Sequence, residues 1–177
     1  MTVKLPNGNF HECENVELPK QWDQIIQSWD MAFKKDKGTS YVVGQVWAMR
    51  DANVYLLDQV RAKMEFTETV DALLKLSQKW PDAFAKLIED KANGPAVISM
   101  LKDKIPGLIP WNPEGDKEAR ARAVSPTIRS GNVILPHPSL IPWVSEFLDE
   151  VTAFPNSAHN EQVDAMSQAL LYLYGEG

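Results

Sequence analysis

Three short, β-prone runs follow one another early in the chain and constrain its fold more than any other feature. They are Gln24–Lys34 (QIIQSWDMAFK), Tyr41–Met49 (YVVGQVWAM) and Val54–Arg61 (VYLLDQVR). Turn-prone residues at 50–53 (RDAN) join the second run to the third. Apolar runs separated by such turns are typical of consecutive strands. The spacing therefore predicts a three-stranded antiparallel meander.

The first of these strands carries a carboxylate where its apolar stretch ends. Because side chains alternate along a strand, Ile26, Ser28 and Asp30 fall on one face. Asp30 then lies at the open end of the strand, where a buried sheet meets solvent. We therefore hypothesise that Asp30 belongs to a carboxylate cluster that holds divalent metal.

The rest of the first two thirds alternates helix and strand. Helical spacing covers Phe66–Trp80, and Pro81 ends that helix. A short apolar strand at Phe84–Asp90 leads to a second helix at Gly94–Leu101, and Gly107–Trp111 is predicted as an edge strand because of Pro110. This order predicts an α/β fold, in which the three-stranded antiparallel meander and parallel strands form a mixed sheet flanked by helices.

The position of a second aspartate follows from this topology. In sheets with parallel strands, functional residues gather outside the carboxyl ends of the strands. Asp30 and Asp90 both occupy such ends in the predicted sheet. A single aspartate there is commonly a turn or cap residue, but two at equivalent strand ends favour a shared site.

Residues 112–139 are predicted to be long and irregular, apart from a short charged helix at Asp116–Val124 (DKEARARAV). Two interpretations of this helix stay open. Its charges form a solvated face, or Lys117 and Arg120 contact nucleic-acid phosphates near the acidic site. A loop of this length within a compact domain is more often functional than not.

The chain ends with two predicted helices. The first spans Leu140–Val151 and packs on the core. The second carries apolar residues at helical spacing, namely Val163, Met166, Leu170 and Leu173. Glu161 and Asp164 lie in its first turns, where the partial positive charge of a helix start favours carboxylates.

Length and composition set broader limits. We predict one domain at 21–177, preceded by a linker or edge segment at 1–20. The single cysteine, Cys13, allows no internal disulfide, and no apolar run approaches the roughly 20 residues that span a bilayer. A soluble, cytoplasmic protein is expected. The net charge of −6 argues against tight autonomous nucleic-acid binding but is compatible with metal-binding carboxylates.

Four blocks of sequence occur in an informative order. They are SWDMAFK (28–34), IEDKANG (88–94), DKEARA followed by SGNVILP (116–121 and 130–136), and FPNSAHNEQVDAMSQAL (154–170). Together they resemble the C-terminal nuclease domain of the large terminase subunit of tailed bacteriophages. The resemblance covers about residues 20–175 and implies a ribonuclease-H-like fold.

Position by position, the resemblance implies a set of catalytic metal ligands. Asp30, Asp90 and Asp164 match the family's aspartates, and His159 and Glu161 are additional candidate ligands. The implied cofactors are two divalent cations, Mg²⁺ or Mn²⁺, which suit hard carboxylate oxygens and catalyse phosphodiester hydrolysis. The implied activity is that of an endodeoxyribonuclease cutting concatemeric double-stranded viral DNA during genome packaging.

The resemblance also implies partners and leaves alternatives. The expected partners are double-stranded DNA, a terminase ATPase domain, the small terminase subunit and the portal, with no membrane. The isolated domain is expected to be a monomer in the host cell cytoplasm. One alternative is another ribonuclease-H-like nuclease of the resolvase or integrase type. The other is a non-catalytic docking module of a packaging motor.

Overall fold

The structure, a computed structural model, describes residues 2–6, 11–12, 17–31, 40–90 and 94–175, with side chains from residue 17 onward. The described strands are β1 (Thr2–Pro6), β2 (His11–Glu12), β3 (Gln24–Asp30), β4 (Val42–Arg50), β5 (Asn53–Ala62), β6 (Ala85–Glu89), β7 (Leu108–Trp111) and β8 (Ser130–Pro136). The described helices are α1 (Phe66–Lys79), α2 (Gly94–Leu101), α3 (Lys117–Arg129), α4 (Trp143–Ala153) and α5 (Glu161–Tyr174). The strands form one mixed sheet in the order β2-β1-β8-β5-β4-β3-β6-β7.

The predicted meander forms the centre of this sheet. β3 pairs antiparallel with β4, and β4 pairs antiparallel with β5. Trp29 of β3 lies opposite Gly44 of β4, and any β-carbon at Gly44 would come within 2.6 Å of the indole ring. The glycine thus makes room for a large, fully buried aromatic side chain in the middle of the sheet.

The strands after the meander extend the sheet in parallel. β6 pairs parallel with β3, and β7 pairs parallel with β6 at the sheet edge. Both strands, and the helices α1 and α2 that precede them, match the predicted elements within a few residues. The carboxyl ends of β3 and β6 therefore meet at the same edge of the sheet, as the sequence predicts.

The prediction of a largely irregular segment over residues 112–139 is wrong. The structure has a helix, α3, that passes through Pro126, followed by strand β8. The row of α3 residues that packs inward is Arg120, Val124 and Ile128, so a buried arginine interrupts the apolar pattern. β8 has only three buried residues in succession, Val133–Leu135, and pairs with β5 and β1. Both elements therefore lack a strong periodic signal.

The amino-terminal residues add to the sheet on the side of β8. β1 pairs antiparallel with β8, and β2 pairs antiparallel with β1 at the edge. The backbone of the segment predicted as a linker or edge segment, 1–20, thus includes two strands.

Helices cover both faces of the sheet, and a separate apolar core lies between the helices and the sheet on each face. The core beneath α1 and α2 contains Trp29 and Ile88, and the core beneath α3, α4 and α5 contains Ile26 and Leu87. The face of β3 that carries Ile26, Ser28 and Asp30 is therefore turned towards α5, as alternation along the strand requires.

The last two helices match their predictions with one difference. The four inward positions predicted for α5, Val163, Met166, Leu170 and Leu173, are all buried. Leu140 instead precedes α4 and is 66% exposed. No described helix is long and apolar enough to cross a membrane.

Candidate metal centre

Three carboxylates from three different elements meet at the carboxyl edge of the sheet. Asp30 ends β3, Glu89 ends β6 and Asp164 lies in the first turn of α5. One oxygen from each lies within 4.8 Å of the others. Asp30 and Asp164 are buried, at 2% and 5% exposure, whereas Glu89 is half-buried. The cluster is thus rooted in the core and open on the Glu89 side.

The third carboxylate of the cluster is Glu89, and not Asp90 as the sequence suggests. Parallel pairing of β3 with β6 sets Asp30 and Glu89 side by side at the strand ends. Asp90 follows the last residue of β6 and is not part of the three-carboxylate group. Asp90 is exposed, and its backbone N–H donates to the carbonyl oxygen of Trp111 at 2.7 Å. Glu89 therefore occupies the position in the cluster that the sequence analysis predicts for Asp90.

The presence of Glu89 in the cluster could have been predicted from the sequence by asking which residues of β6 face α5. Leu87 and Glu89 are two residues apart, and Leu87 is the apolar residue that faces α5. Treating Leu87 as the inward residue of β6 would have put Glu89, rather than Asp90, on the face of Asp30.

Lys117, predicted as a DNA contact, lies directly against the cluster. Its Nζ is 3.9 Å from Oδ2 of Asp30, contacts Oδ2 of Asp164, and donates to Oδ1 of Asn160 at 2.9 Å. Burial lowers the pKa of Lys117, but Asp164 and Asp30 outweigh this effect and raise the pKa above its ordinary value. The ammonium group therefore stays charged and partly neutralises the two buried aspartates.

Arg120, the other predicted DNA contact, is buried one turn later in α3. Its guanidinium lies 3.4 Å from Oδ1 of Asp164 and donates to the carbonyl oxygen of Gly115 at 2.9 Å. Only 6% of the residue is exposed. Arg120 therefore holds Asp164 in place from the side of α3, and its contact in the structure is with the protein itself.

The start of α3 sets the positions of the cationic side chains of Lys117 and Arg120. Asp116 precedes the helix, and its Oδ1 accepts a hydrogen bond from the N–H of Ala119 at 2.8 Å. This is an N-cap interaction, which satisfies one of the free N–H groups of the first turn. Because it fixes the first helical residue as Lys117, it also fixes the side of the helix on which Lys117 and Arg120 lie.

Glu161 and His159 lie beside the three-carboxylate cluster but outside it. Oε1 of Glu161 accepts from the backbone N–H of Tyr41 at 3.3 Å, and Oε2 accepts from that of Asn160 at 3.1 Å. Nδ1 of His159 is 3.7 Å from Oε2 of Glu161, and its ring packs edge-on against Tyr41. Among the described residues, neither joins the group formed by Asp30, Glu89 and Asp164.

A chain of buried polar side chains anchors the start of α5. Nε2 of Gln45 donates to Oε1 of Gln59, and Nε2 of Gln59 donates to Oε1 of Gln162, both at 2.9 Å. Glu150 of α4 accepts from Nε2 of Gln162 and from the N–H of Val163. Burial raises the pKa of Glu150, and these two hydrogen bonds oppose the rise. The network holds the turn that carries Asp164.

The donor set of the cluster fits a hard divalent cation. Three carboxylate oxygens within 4.8 Å of one another are the ligand type that Mg²⁺ and Mn²⁺ prefer. Carboxylates this close repel one another, so a cation among them is favoured over none. Lys117 and Arg120 offset only part of the negative charge, which leaves the cluster attractive to cations.

Comparisons with known proteins agree with the fold. Residues 27–173 match the family described as the terminase RNaseH-like domain. No curated protein matches the sequence significantly. The large terminase of a thermophilic bacteriophage has a TM-score of 0.67 at 13% identity, covering 89% of this chain and 41% of that one. This chain thus spans less than half the length of that relative.

Isolated nuclease domains are also similar. The Thermus phage P74-26 large terminase nuclease domain has a TM-score of 0.64 at 16% identity, covering 87% of this chain and 82% of that one. The large terminase nuclease of thermophilic phage G20c, solved with bound zinc, has a TM-score of 0.64 at 17% identity, covering 82% and 79%. It has also been solved with cobalt. These structures confirm the ribonuclease-H-like fold. Because the family match spans most of the sequence, the chain belongs to the terminase RNaseH-like domain family.

Proposed function

We propose that this domain is a metal-dependent endodeoxyribonuclease that cuts double-stranded viral DNA during genome packaging. The observation that carries the proposal is the meeting of Asp30, Glu89 and Asp164 at one edge of the sheet. Membership of the terminase family supports the class of reaction and substrate. The G20c nuclease, a relative with the same fold, has been solved with zinc and with cobalt, which supports a metal centre here.

In this proposal Asp30, Glu89 and Asp164 hold two Mg²⁺ or Mn²⁺ ions. Such ions, when bound, activate water and neutralise the phosphate in phosphodiester hydrolysis. The chain itself supplies the fixed carboxylates, and Arg120 keeps Asp164 oriented through its buried contact. Fixed ligands matter because a site that need not rearrange binds its cations more tightly.

Lys117 has a different part in the proposal. Its side chain is 40% exposed, compared with 7% for Arg120, so it has access to solvent on the open side of the cluster. In the metal-free domain Lys117 forms ion pairs with Asp30 and Asp164. Once substrate is bound, we propose that Lys117 contacts a DNA phosphate instead. Arg120 is assigned to Asp164 throughout.

Family membership also supports a set of partners for the longer protein. By analogy with large terminases, we place this domain with an ATPase domain, a small terminase subunit and a portal in the cytoplasm of the host cell. Cleavage would then resolve concatemeric DNA when packaging starts and ends. These assignments rest on the family alone.

The proposal is tested by incubating the purified domain with supercoiled plasmid in Mn²⁺, in Mg²⁺ and in EDTA. We expect nicked and linear products with either metal, none with EDTA, and at least a hundredfold loss of rate in Asp30→Asn. The amide fills the volume of the carboxylate but loses the charge that holds metal. No cleavage by the wild type across metals and pH would contradict the proposal and favour a docking module. Strong preference for four-way junctions over plain duplex would favour a resolvase.

A further inference from the structure

We propose that Gln168 is a positioning residue of the metal centre: its buried amide ties α5 to the two strands that carry Asp30 and Glu89. The inference rests on the proposed function, since it concerns how the three carboxylates are held at their spacing. Gln168 and its main partner, Ser28, are 6% and 0% exposed. Nothing in the acidic cluster itself requires a glutamine at this place.

The contacts of Gln168 reach both strands. Its Nε2 donates to Oγ of Ser28 at 2.9 Å and lies 3.3 Å from the carbonyl oxygen of Trp29, both in β3. The same nitrogen lies 3.4 Å from the carbonyl oxygen of Leu87 in β6. Ser28 in turn donates its hydroxyl proton to the carbonyl oxygen of Ala165 at 2.7 Å. One side chain of α5 thus holds two strands, and one strand holds α5 in return.

These contacts lie one step below the carboxylates. Ser28 is two residues before Asp30 and Leu87 is two residues before Glu89, so each contacted residue precedes a carboxylate on the same face of its strand. Gln168 is four residues after Asp164 and shares its face of the helix. Asp164 with Asp30, and Gln168 with Ser28, therefore form two adjacent rungs between α5 and β3.

The spacing of the two rungs matches between helix and strand. Four residues of α-helix rise about 6 Å, and two residues of β-strand rise about 6.6 Å. If hydrogen bonds fix the rung formed by Gln168 and Ser28, α5 can slide very little along β3 at the rung formed by Asp164 and Asp30. The Gln168–Ser28 rung is neutral and hydrogen-bonded, so it can hold the helix against the repulsion between Asp30 and Asp164 in the other rung.

The test uses Gln168→Met, which keeps the length and volume of the side chain but removes its hydrogen-bond donors. Binding of Mn²⁺ to the whole domain is measured by calorimetric titration, together with thermal melts in EDTA. We expect Mn²⁺ affinity to fall at least tenfold, as is typical when a group that orients a metal ligand is lost. A cooperative melt shows that the variant is folded.

Gln27→Met is the matched control. Gln27 is a buried glutamine of β3, and its side chain lies on the face of that strand opposite to Ser28. Its Nε2 donates to Oγ of Ser77 at 3.2 Å, and its Oε1 accepts from Nε1 of Trp29 at 3.0 Å. We expect Gln27→Met to lower the melting temperature while leaving Mn²⁺ affinity within twofold of the wild type. Equal losses of affinity in the two variants would overturn the inference, because the effect would then be one of general stability.

Three further results discriminate. Wild-type Mn²⁺ affinity in Gln168→Met would overturn the inference while leaving the proposed function intact. If the wild type binds no Mn²⁺, or if Asp30→Asn binds Mn²⁺ as tightly as the wild type, both the inference and the proposed function are overturned. If Gln168→Met does not fold, Ser28→Ala with Ser77→Ala as its control replaces it. We then expect Ser28→Ala, but not Ser77→Ala, to bind Mn²⁺ more weakly than the wild type, and no loss in Ser28→Ala would overturn the inference.

Discussion

Glu89 and Asp90 are adjacent carboxylates with opposite surroundings, and this contrast gives the sharpest prediction for single residues. Glu89 belongs to the cluster, whereas Asp90 is exposed outside it. We expect Glu89→Gln to lower the rate of Mn²⁺-dependent plasmid cleavage at least a hundredfold and Asp90→Asn to change it by less than twofold. Each substitution removes one charge and keeps the size of the side chain. Equal losses, or a larger loss in Asp90→Asn, would show that Asp90 is the ligand.

Lys117 supplies a second prediction, for Lys117→Met. Removing its ammonium leaves Asp30 and Asp164 to repel each other, so the free energy of unfolding in EDTA should fall by about 1 kcal/mol for this partly exposed pair. For the same reason Mn²⁺ should bind several-fold more tightly, because one cation no longer opposes another. Urea unfolding and calorimetric titration measure the two effects.

The control for Lys117 lies on the same helix. Arg122→Met removes an exposed cation whose nearest described ion pair is with Glu118, at 3.7 Å. We expect little change in unfolding free energy or in Mn²⁺ affinity. Weaker Mn²⁺ binding by Lys117→Met would contradict the assignment and show that the ammonium supports the metal ligands instead of opposing the cations.

The sequence predicts part of this residue-level arrangement. Asp30 follows from its place at the end of a strand, and Asp164 from the family blocks. Glu89 is missed because the predicted end of β6 lies one residue too late, and one residue reverses the face of a strand. The contacts of Lys117 and Arg120 with Asp164 join residues more than forty positions apart, which no local pattern encodes.

Helix α3 is the element on which the cationic side of the site depends. Its N-cap, Asp116, accepts a hydrogen bond from the N–H of Ala119 at 2.8 Å. We expect Asp116→Ala to lower the free energy of unfolding by about 1 kcal/mol, the usual effect of losing such a cap. Because the cap fixes the first turn, the variant should also loosen Lys117.

The prediction for Asp116 is measured by urea unfolding, with Glu114→Ala as control. Glu114 is another exposed acid just before the helix, so its substitution removes the same charge without removing the cap. A similar decrease in both variants would mean that the effect is one of charge near the helix start. Equal stability of Asp116→Ala and the wild type would show that α3 does not need its cap.

Elements with an uninterrupted apolar pattern are predictable, and elements without one are not. The strands β3 to β6 and the helix α5 carry apolar residues at strand or helix spacing, and their bounds agree with the sequence within a few residues. In α3 the inward row begins with Arg120, which serves Asp164 and not the apolar core. A buried polar contact in the inward row thus removes the apolar periodicity by which a helix is recognised in a sequence.

For the molecule as a whole, the sheet order explains why the site forms only on folding. Asp30, Glu89 and Asp164 come from β3, β6 and α5, which are far apart in the chain and adjacent in the fold. The order of elements predicts the mixed sheet, but it does not predict that α5 packs across β3 and β4. Metal that binds the assembled cluster binds the folded state alone, so it must stabilise the fold.

The most direct measurement of this account is a pair of thermal melts, in EDTA and in millimolar Mn²⁺, on the wild type and on Asp30→Asn. The wild type should melt higher in Mn²⁺, with a gain of roughly 2.7 kcal/mol at 100 times the dissociation constant. Asp30→Asn should be at least as stable as the wild type in EDTA, because one repelling charge is gone, and should lose the Mn²⁺-induced rise. An equal rise in both proteins would place the ion elsewhere and contradict a metal centre at Asp30.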